Sequence, residues 1–272
     1  MSGAAVAPER PIGSAYDAVT NYDRTRHADA GLVDFLAMHL MPQTDAVYLD
    51  IGAGTGNYTA ALAKRAGHWT ASDPAPHMLS QARGKYEGLN VAVAAAEALP
   101  FAACAFDGLL CQLALHHMSD VPRAIEEMAR VLQPGGRAVL FTVLPTQARA
   151  NWLAHYFPQM IAADAKTLPD LPALNAAAQA AGLGCSAPHG FHVTPDTTER
   201  FFYGGTYCPE IYLDKQMRAN MSPFRLFANA TELRHGLAAL QTDIASGAVH
   251  DRVAQSDRRA GDYCALVLTK PQ

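Results

Sequence analysis

Three groups of residues in this chain have the types and spacing that could do chemistry. The first is Asp50-Ile-Gly52-Ala53-Gly54-Thr-Gly56, a carboxylate followed by glycines at alternate positions. Glycine adopts positive φ at little cost and lets a ligand approach the main chain where a Cβ would stand in its way. The spacing is G-x-G-x-G rather than the G-x-G-x-x-G that offers amides to a pyrophosphate, and Asp50 would repel a diphosphate. The same carboxylate suits a ligand that carries an ammonium group. The second group is Asp73 with Pro74. A carboxylate there can accept both hydroxyls of a ribose, or it can cap the next helix. The third is His116-His117, since imidazole titrates near neutral pH and can take a proton from a hydroxyl or an acidic carbon. One or both of these rings could equally be structural. His189-x-x-His192 lacks carboxylates or thiols in a matching arrangement, so no metal site is expected.

Alternating strands and helices are needed to bring such groups to one edge. Apolar runs at 46–49, 68–72, 90–95, 106–112 and 137–143 read as strands, and helical patterns fill 58–66, 76–86 and 121–132 between them. Pro134-Gly135-Gly136 closes the last of these helices. Parallel strands need crossovers, so the pattern predicts a Rossmann-like, doubly wound α/β fold. Its sheet is mostly parallel and seven-stranded, with an added helical cap. The glycines, Asp73 and the histidines would then lie at the carboxyl ends of the strands, where such sheets bind ligands. Further on, 147–165 and 172–181 read as helices, 183–193 holds a sixth strand, 194–255 is helix-rich and 263–269 is the last strand. The expected organisation is a lid segment at 1–45, a cofactor-binding core at 46–145, a cap helix and sheet completion at 146–193, a helical cap insertion at 194–258 and a final strand at 259–272.

With 272 residues, half of them hydrophobic and 17% charged, the chain can bury a full core. A net charge of −4 without a run of Lys and Arg argues against a nucleic-acid partner. The five cysteines are scattered and form no C-x-x-C pair, which points to reduced thiols and a cytoplasmic protein. No stretch approaches the ~18 apolar residues of a membrane span. A small-molecule partner is expected, and a monomer or homodimer.

Taken in order, the motifs resemble the class I S-adenosylmethionine-dependent methyltransferases of the ubiquinone/menaquinone-methylase-like group. They are Leu49-Asp-Ile-Gly-Ala-Gly-Thr-Gly56, Ser72-Asp-Pro74 with Met78-Leu79, Ala96-Glu-Ala-Leu-Pro-Phe101, Phe106-Asp107, Leu115-His-His117 with Asp120, and Arg130-Val-Leu-Gln-Pro-Gly-Gly136. The resemblance implies S-adenosylmethionine as cofactor, with Gly52, Ala53 and Gly54 against its methionyl part, in the turn that Asp50 and Gly56 bound as further cofactor-binding residues, and Asp73 on the ribose. It implies Pro74 and Met78 against the adenine, the Ala96-Glu97 backbone at the adenine edge, and Cys111-Gln112 near the sulfonium. Many relatives carry Asp where this chain has Ala95, so adenine recognition here would fall to backbone groups or Glu97. Tyr16, Tyr22 and Arg26 resemble the group's N-terminal segment that covers the cofactor.

Substrate specificity should lie outside these motifs. Aromatic residues of the 194–255 segment, with Tyr203, Tyr207 and Arg218 foremost, are expected to line a small-molecule pocket, though most aromatics at such spacing belong to a core. The reaction expected is in-line methyl transfer to O, N or C of a metabolite. The alternatives are a relative that uses the bound cofactor for a cyclisation or pericyclic step, and a non-catalytic binding protein.

Overall fold

The computed structural model describes residues 26–272. The first described helix, α1 (Ala30–Leu40), starts where Asp29 accepts the Leu32 N–H at 2.9 Å, an aspartate N-cap. Its buried residues Leu32, Val33, Leu36 and Leu40 recur at helical spacing and lie on the sheet. Strands β1 (Val47–Ile51), β2 (His68–Asp73), β3 (Asn90–Val93), β4 (Phe106–Gln112) and β5 (Leu132–Thr142) pair in parallel. Helices α2 (Asn57–Ala63), α3 (Pro76–Lys85) and α4 (Val121–Val131) join them. The sheet continues through β6 (Gly184–Cys185), β7 (His189–Phe191) and β8 (Tyr263–Thr269).

The order is β3-β2-β1-β4-β5-β8-β6, with β7 also on β8. Strand β8 runs antiparallel to β5, β6 and β7, so β6 and β7 point the same way as β1 to β5. They are two halves of the predicted sixth strand. Pro188 between them has no N–H for the ladder. Ser186 keeps the join, donating to the Val267 carbonyl at 3.0 Å and accepting from the Val267 N–H through its hydroxyl at 3.1 Å.

Alternation along the strands builds two cores. Leu110, Val139 and Phe141 pack on one face with α1 and the later helices, and Leu109, Cys111, Ala138 and Leu140 pack on the other with α4 and α7 (Leu171–Ala180).

Two predicted elements are corrected. The single helix over 147–165 is α5 (Pro145–Ala150), a 3-10 turn over Trp152–His155, and α6 (Pro158–Thr167). Asn151 caps the turn by accepting from Leu153 N at 3.0 Å. Phe157, the residue before Pro158, is pushed out of helical geometry (φ −133, ψ 58). Strand β5 starts at Leu132 rather than at 137 and carries Pro134–Gly136 through as an irregularity, with Gly135 at φ 79. Between β7 and β8 the chain runs through 3-10 turns at Gly205–Tyr207 and Pro209–Tyr212. It then forms α8 (Lys215–Ala219), α9 (Ser222–Leu226), α10 (Ala230–Ser246) and α11 (Val249–Gln255). Among the described residues no helix is long and apolar enough to cross a membrane.

Candidate active site

The turn after β1 is fixed by its own backbone. Gly52 N and Ala53 N both donate to Ser72 O on β2, at 2.8 and 2.9 Å, and Gly56 N donates to Ala53 O at 3.0 Å. Gly52, Gly54 and Gly56 all have positive φ (73, 56 and 74). A Cβ on Gly54 would meet nothing within 4 Å, because this residue borders a cavity at the carboxyl edge of the sheet. A Cβ on Gly52 would run into Ala114. Gly56 does not border the cavity: a Cβ there would come within 3.0 Å of Leu89 and 3.1 Å of Ala82, so its role is to let α2 start against α3.

Two carboxylates flank the turn. Asp50 is buried, and its Oδ2 accepts from the Thr59 hydroxyl at 2.6 Å. Its Oδ1 is buried with no partner among the described residues, an arrangement that is costly until a donor arrives. Burial pushes the carboxyl up to about 7, opposed by the Thr59 hydrogen bond and reinforced by the charge of Asp73. Asp73 accepts from Gly54 N at 2.9 Å through Oδ2 and from Ala75 N at 2.8 Å through Oδ1. It clasps the turn, and each oxygen keeps a lone pair for a ligand hydroxyl. Burial raises its pKa, against those two hydrogen bonds.

Pro74, Met78, Ala96 and Gln112 also line the cavity. Glu97 lines it as well, but its Oε1 accepts from Ser119 N (2.8 Å), Ser119 Oγ (2.9 Å) and Asp120 N (3.2 Å) and so holds the turn that leads into α4. The loop from Ala96 to Phe101 is tied to α4 by Glu127. That carboxylate accepts from Leu99 N at 2.9 Å and from Arg130 at 2.7 and 2.8 Å, while Arg130 donates to the Leu99 and Phe101 carbonyls. Glu127→Ala strips partners from a buried N–H and from Arg130. We expect it to lower unfolding free energy by about 2 kcal/mol, read by urea denaturation; a change within experimental error would show the tie to be idle.

His116 and His117 sit in the 3-10 turn Leu115–His117 just past β4, with ring centroids 3.9 Å apart, and both line the cavity. Burial pushes His116 down to about 4, and burial with the nearby His116 and Arg225 charges holds His117 well below its usual range. Both rings are therefore neutral at pH 7.

Beyond the histidines the cavity runs under the 199–223 segment. Tyr203 is there, its hydroxyl donating to Asp164 Oδ2 at 2.6 Å. Arg26 lines the cavity and pairs with Glu199 at 3.4 Å, and the Tyr58 hydroxyl donates to Glu199 at 3.4 Å. Besides Gly56, three expected residues are not brought to the cavity. Cys111 is 1% exposed, in the core on the opposite face of β4 from Leu110. Tyr207 is 51% exposed with the Arg258 guanidinium 5.7 Å over its ring. Arg218 donates to the Tyr212 carbonyl at 2.6 Å, away from the cavity. Tyr16 and Tyr22 lie outside the described residues.

Sequence reasoning missed Asp164, Glu199, Tyr58 and Tyr263, all of which line the cavity. Asp164 was open to detection, as an acid on the apolar face of α6 formed by Met160, Ile161 and Ala165. Glu199 carries no such local signal.

Residues 49–140 match the family model described as "Methyltransferase domain". The chain is 38% identical over 133 residues to the biotin biosynthesis bifunctional protein BioHC of Cellvibrio japonicus, covering 48% of this chain and 26% of that protein. It is also 38% identical to the malonyl-[acyl-carrier protein] O-methyltransferase of Erwinia pyrifoliae, covering 40% and 41% of the two chains. The chain spans about a quarter to a half of the length of such curated relatives. A candidate methyltransferase from an antibiotic biosynthesis pathway of Anabaena variabilis, solved by crystallography, superposes with a TM-score of 0.77 at 28% identity, over 90% of this chain and 99% of that one. Motif, sheet order and relatives agree: residues 49–140 form a methyltransferase domain on the fold of the class I S-adenosylmethionine-dependent methyltransferases.

Proposed function

We propose that this protein transfers the methyl group of S-adenosylmethionine, in line, to an O, N or C of a small metabolite. The carrying observation is one continuous cavity. It starts at the Gly52–Gly54 turn, passes His116 and His117, and ends beneath Phe201, Phe202, Tyr203 and Pro223. An apolar chamber with a few polar groups suits a small molecule. When bound, the cofactor supplies an electrophilic methyl carbon on a positively charged sulfur.

The residues present fit that cofactor. The orphaned Asp50 Oδ1 would take the ammonium, and Gly54 leaves room that a side chain would fill. Asp73 would take the ribose hydroxyls, Pro74 and Met78 the faces of the adenine, and the Ala96 backbone its edge. Glu97 is committed to Ser119 and Asp120, so in this reading the adenine edge is read by main-chain groups. The neutral imidazoles of His116 and His117 orient the acceptor and take a proton where one must leave. Residues 26–29, 152–168 and 199–223 form the cap that keeps water out.

The test is calorimetry with S-adenosylhomocysteine, followed by incubation of the protein with methyl-tritiated S-adenosylmethionine and a cell extract split into small-molecule and macromolecular fractions. Binding of the product and label in the small-molecule fraction are expected. Label confined to protein or nucleic acid, or no product binding, would refute the reading.

A further inference from the structure

The acceptor end of the cavity holds two buried carboxylates with different surroundings. Glu199 has a cation: Arg26 pairs with it at 3.4 Å, and the Tyr58 hydroxyl and Arg200 N–H donate to it as well. Asp164, 5% exposed on α6, has none among the described residues. Its one side-chain partner there is the Tyr203 hydroxyl at 2.6 Å, on Oδ2. Tyr203 is itself fixed, its backbone N–H donating to the Tyr263 hydroxyl at 2.8 Å. The carboxylate is therefore held in place while Oδ1 takes no bond from a described residue.

An ion buried without a countercharge is unfavourable, and burial pushes Asp164 up to about 6. It is still ionised at pH 7.5. The walls around it are aromatic: Phe201, Phe202, Tyr203 and Tyr263 line the same chamber, with Phe201 and Tyr263 ring centroids 5.7 Å apart. Aromatic faces favour cations, and the Arg26 guanidinium already lies 5.0 Å over Phe201. A carboxylate in an aromatic chamber whose two histidines are neutral repels anionic substrates and attracts cationic ones.

We propose that Asp164 anchors a positively charged nitrogen of the methyl acceptor, so that the substrates are small amines with an apolar or aromatic body. This rests on the small-molecule methyltransferase reading above. Asp164 then acts in specificity, and the Tyr203 hydroxyl competes with the ligand for its charge.

The experiment uses the full chain saturated with S-adenosylhomocysteine at pH 7.5, so that failure to bind product at the outset would count against the methyltransferase reading and not against this one. Matched probes are titrated by ligand-observed NMR: 2-phenylethylamine, 2-phenylethanol and 3-phenylpropanoate, with their naphthyl counterparts. The amines are expected to bind at least about tenfold more tightly than the alcohols, and the carboxylates more weakly than either. Asp164→Asn should reduce the amine preference to below about twofold while the product affinity stays unchanged. If that variant does not fold, Tyr203→Phe serves, because it keeps the carboxylate and removes one competing donor; the amine preference should persist or grow. Equal binding of amines and alcohols, no amine binding, a preference that survives Asp164→Asn, or one lost in a folded Tyr203→Phe would each overturn the proposal.

Discussion

Gly54→Val is expected to weaken S-adenosylhomocysteine binding on the order of 100-fold, or about 2.7 kcal/mol, while the protein still folds. Gly54 has φ 56, so any side chain there carries a strain of roughly 1–2 kcal/mol. That lowers the melting temperature by a few degrees and leaves the fold intact. The larger effect is spatial. A Cβ on Gly54 meets no protein atom within 4 Å, so nothing in the protein resists it, and the volume it fills is the volume offered to the methionyl part. Gly67→Val is the control. It also has positive φ (82), but its Cβ would run into the Tyr48 ring and lie 2.9 Å from Ala46 O, at the far end of the sheet from the turn. It should lose more stability and, in the molecules that remain folded, keep product affinity. Calorimetry and thermal denaturation of both variants decide it. Equal affinity losses would show that the Gly54 effect is indirect.

What could be read from the sequence divides by range. The turn at Asp50–Gly56 and the boundaries of β4 and β8 were legible because glycine geometry and buried apolar runs are local properties, decided within a few residues. The sixth strand was placed correctly but not its break, since Pro188 acts through a ladder whose partner, β8, lies some 80 residues on. Cys111 was placed near the sulfonium together with Gln112 by the family resemblance. Strand parity could have excluded it: Leu109 and Cys111 share one face, and Leu110 the other.

In the cap, aromatic composition was a fair guide to Tyr203 and a poor one to Tyr207. The backbone between β7 and α8 is irregular, and no period links a residue's position to the face it presents. Arg218 was expected to line the pocket, but its guanidinium donates to the Tyr212 carbonyl six residues before it. The chamber's two carboxylates come from α6 and from the segment after β7, which only the folded chain brings together.

Product binding should depend on pH through Asp50. The free protein holds this carboxyl at about 7, against ~3.9 in an unfolded chain. The folded form therefore binds the proton more tightly, and the free protein loses stability as pH rises from about 4 to 7. A ligand ammonium at Oδ1 favours the carboxylate and reverses the shift. Below pH 7 binding must then expel a proton. Between pH 8 and pH 5.5 the affinity for S-adenosylhomocysteine is expected to fall about 30-fold, with close to one proton released per molecule bound at pH 6.

Asp164 and Glu199, both pushed up to about 6 by burial, titrate in the same range at the acceptor end, so the slope alone would not identify Asp50. Asp50→Asn separates them. Its amide keeps a hydrogen-bonding oxygen for Thr59 but has no charge to offer, so binding at pH 8 should weaken on the order of 30-fold and then stay nearly flat down to pH 5.5. Calorimetry in buffers of different ionisation enthalpy measures both the affinity and the proton count. A slope that survives Asp50→Asn, or proton uptake on binding, would remove Asp50 from the ammonium site. Its unpartnered oxygen would then have to be satisfied by something other than the methyl donor's amino group.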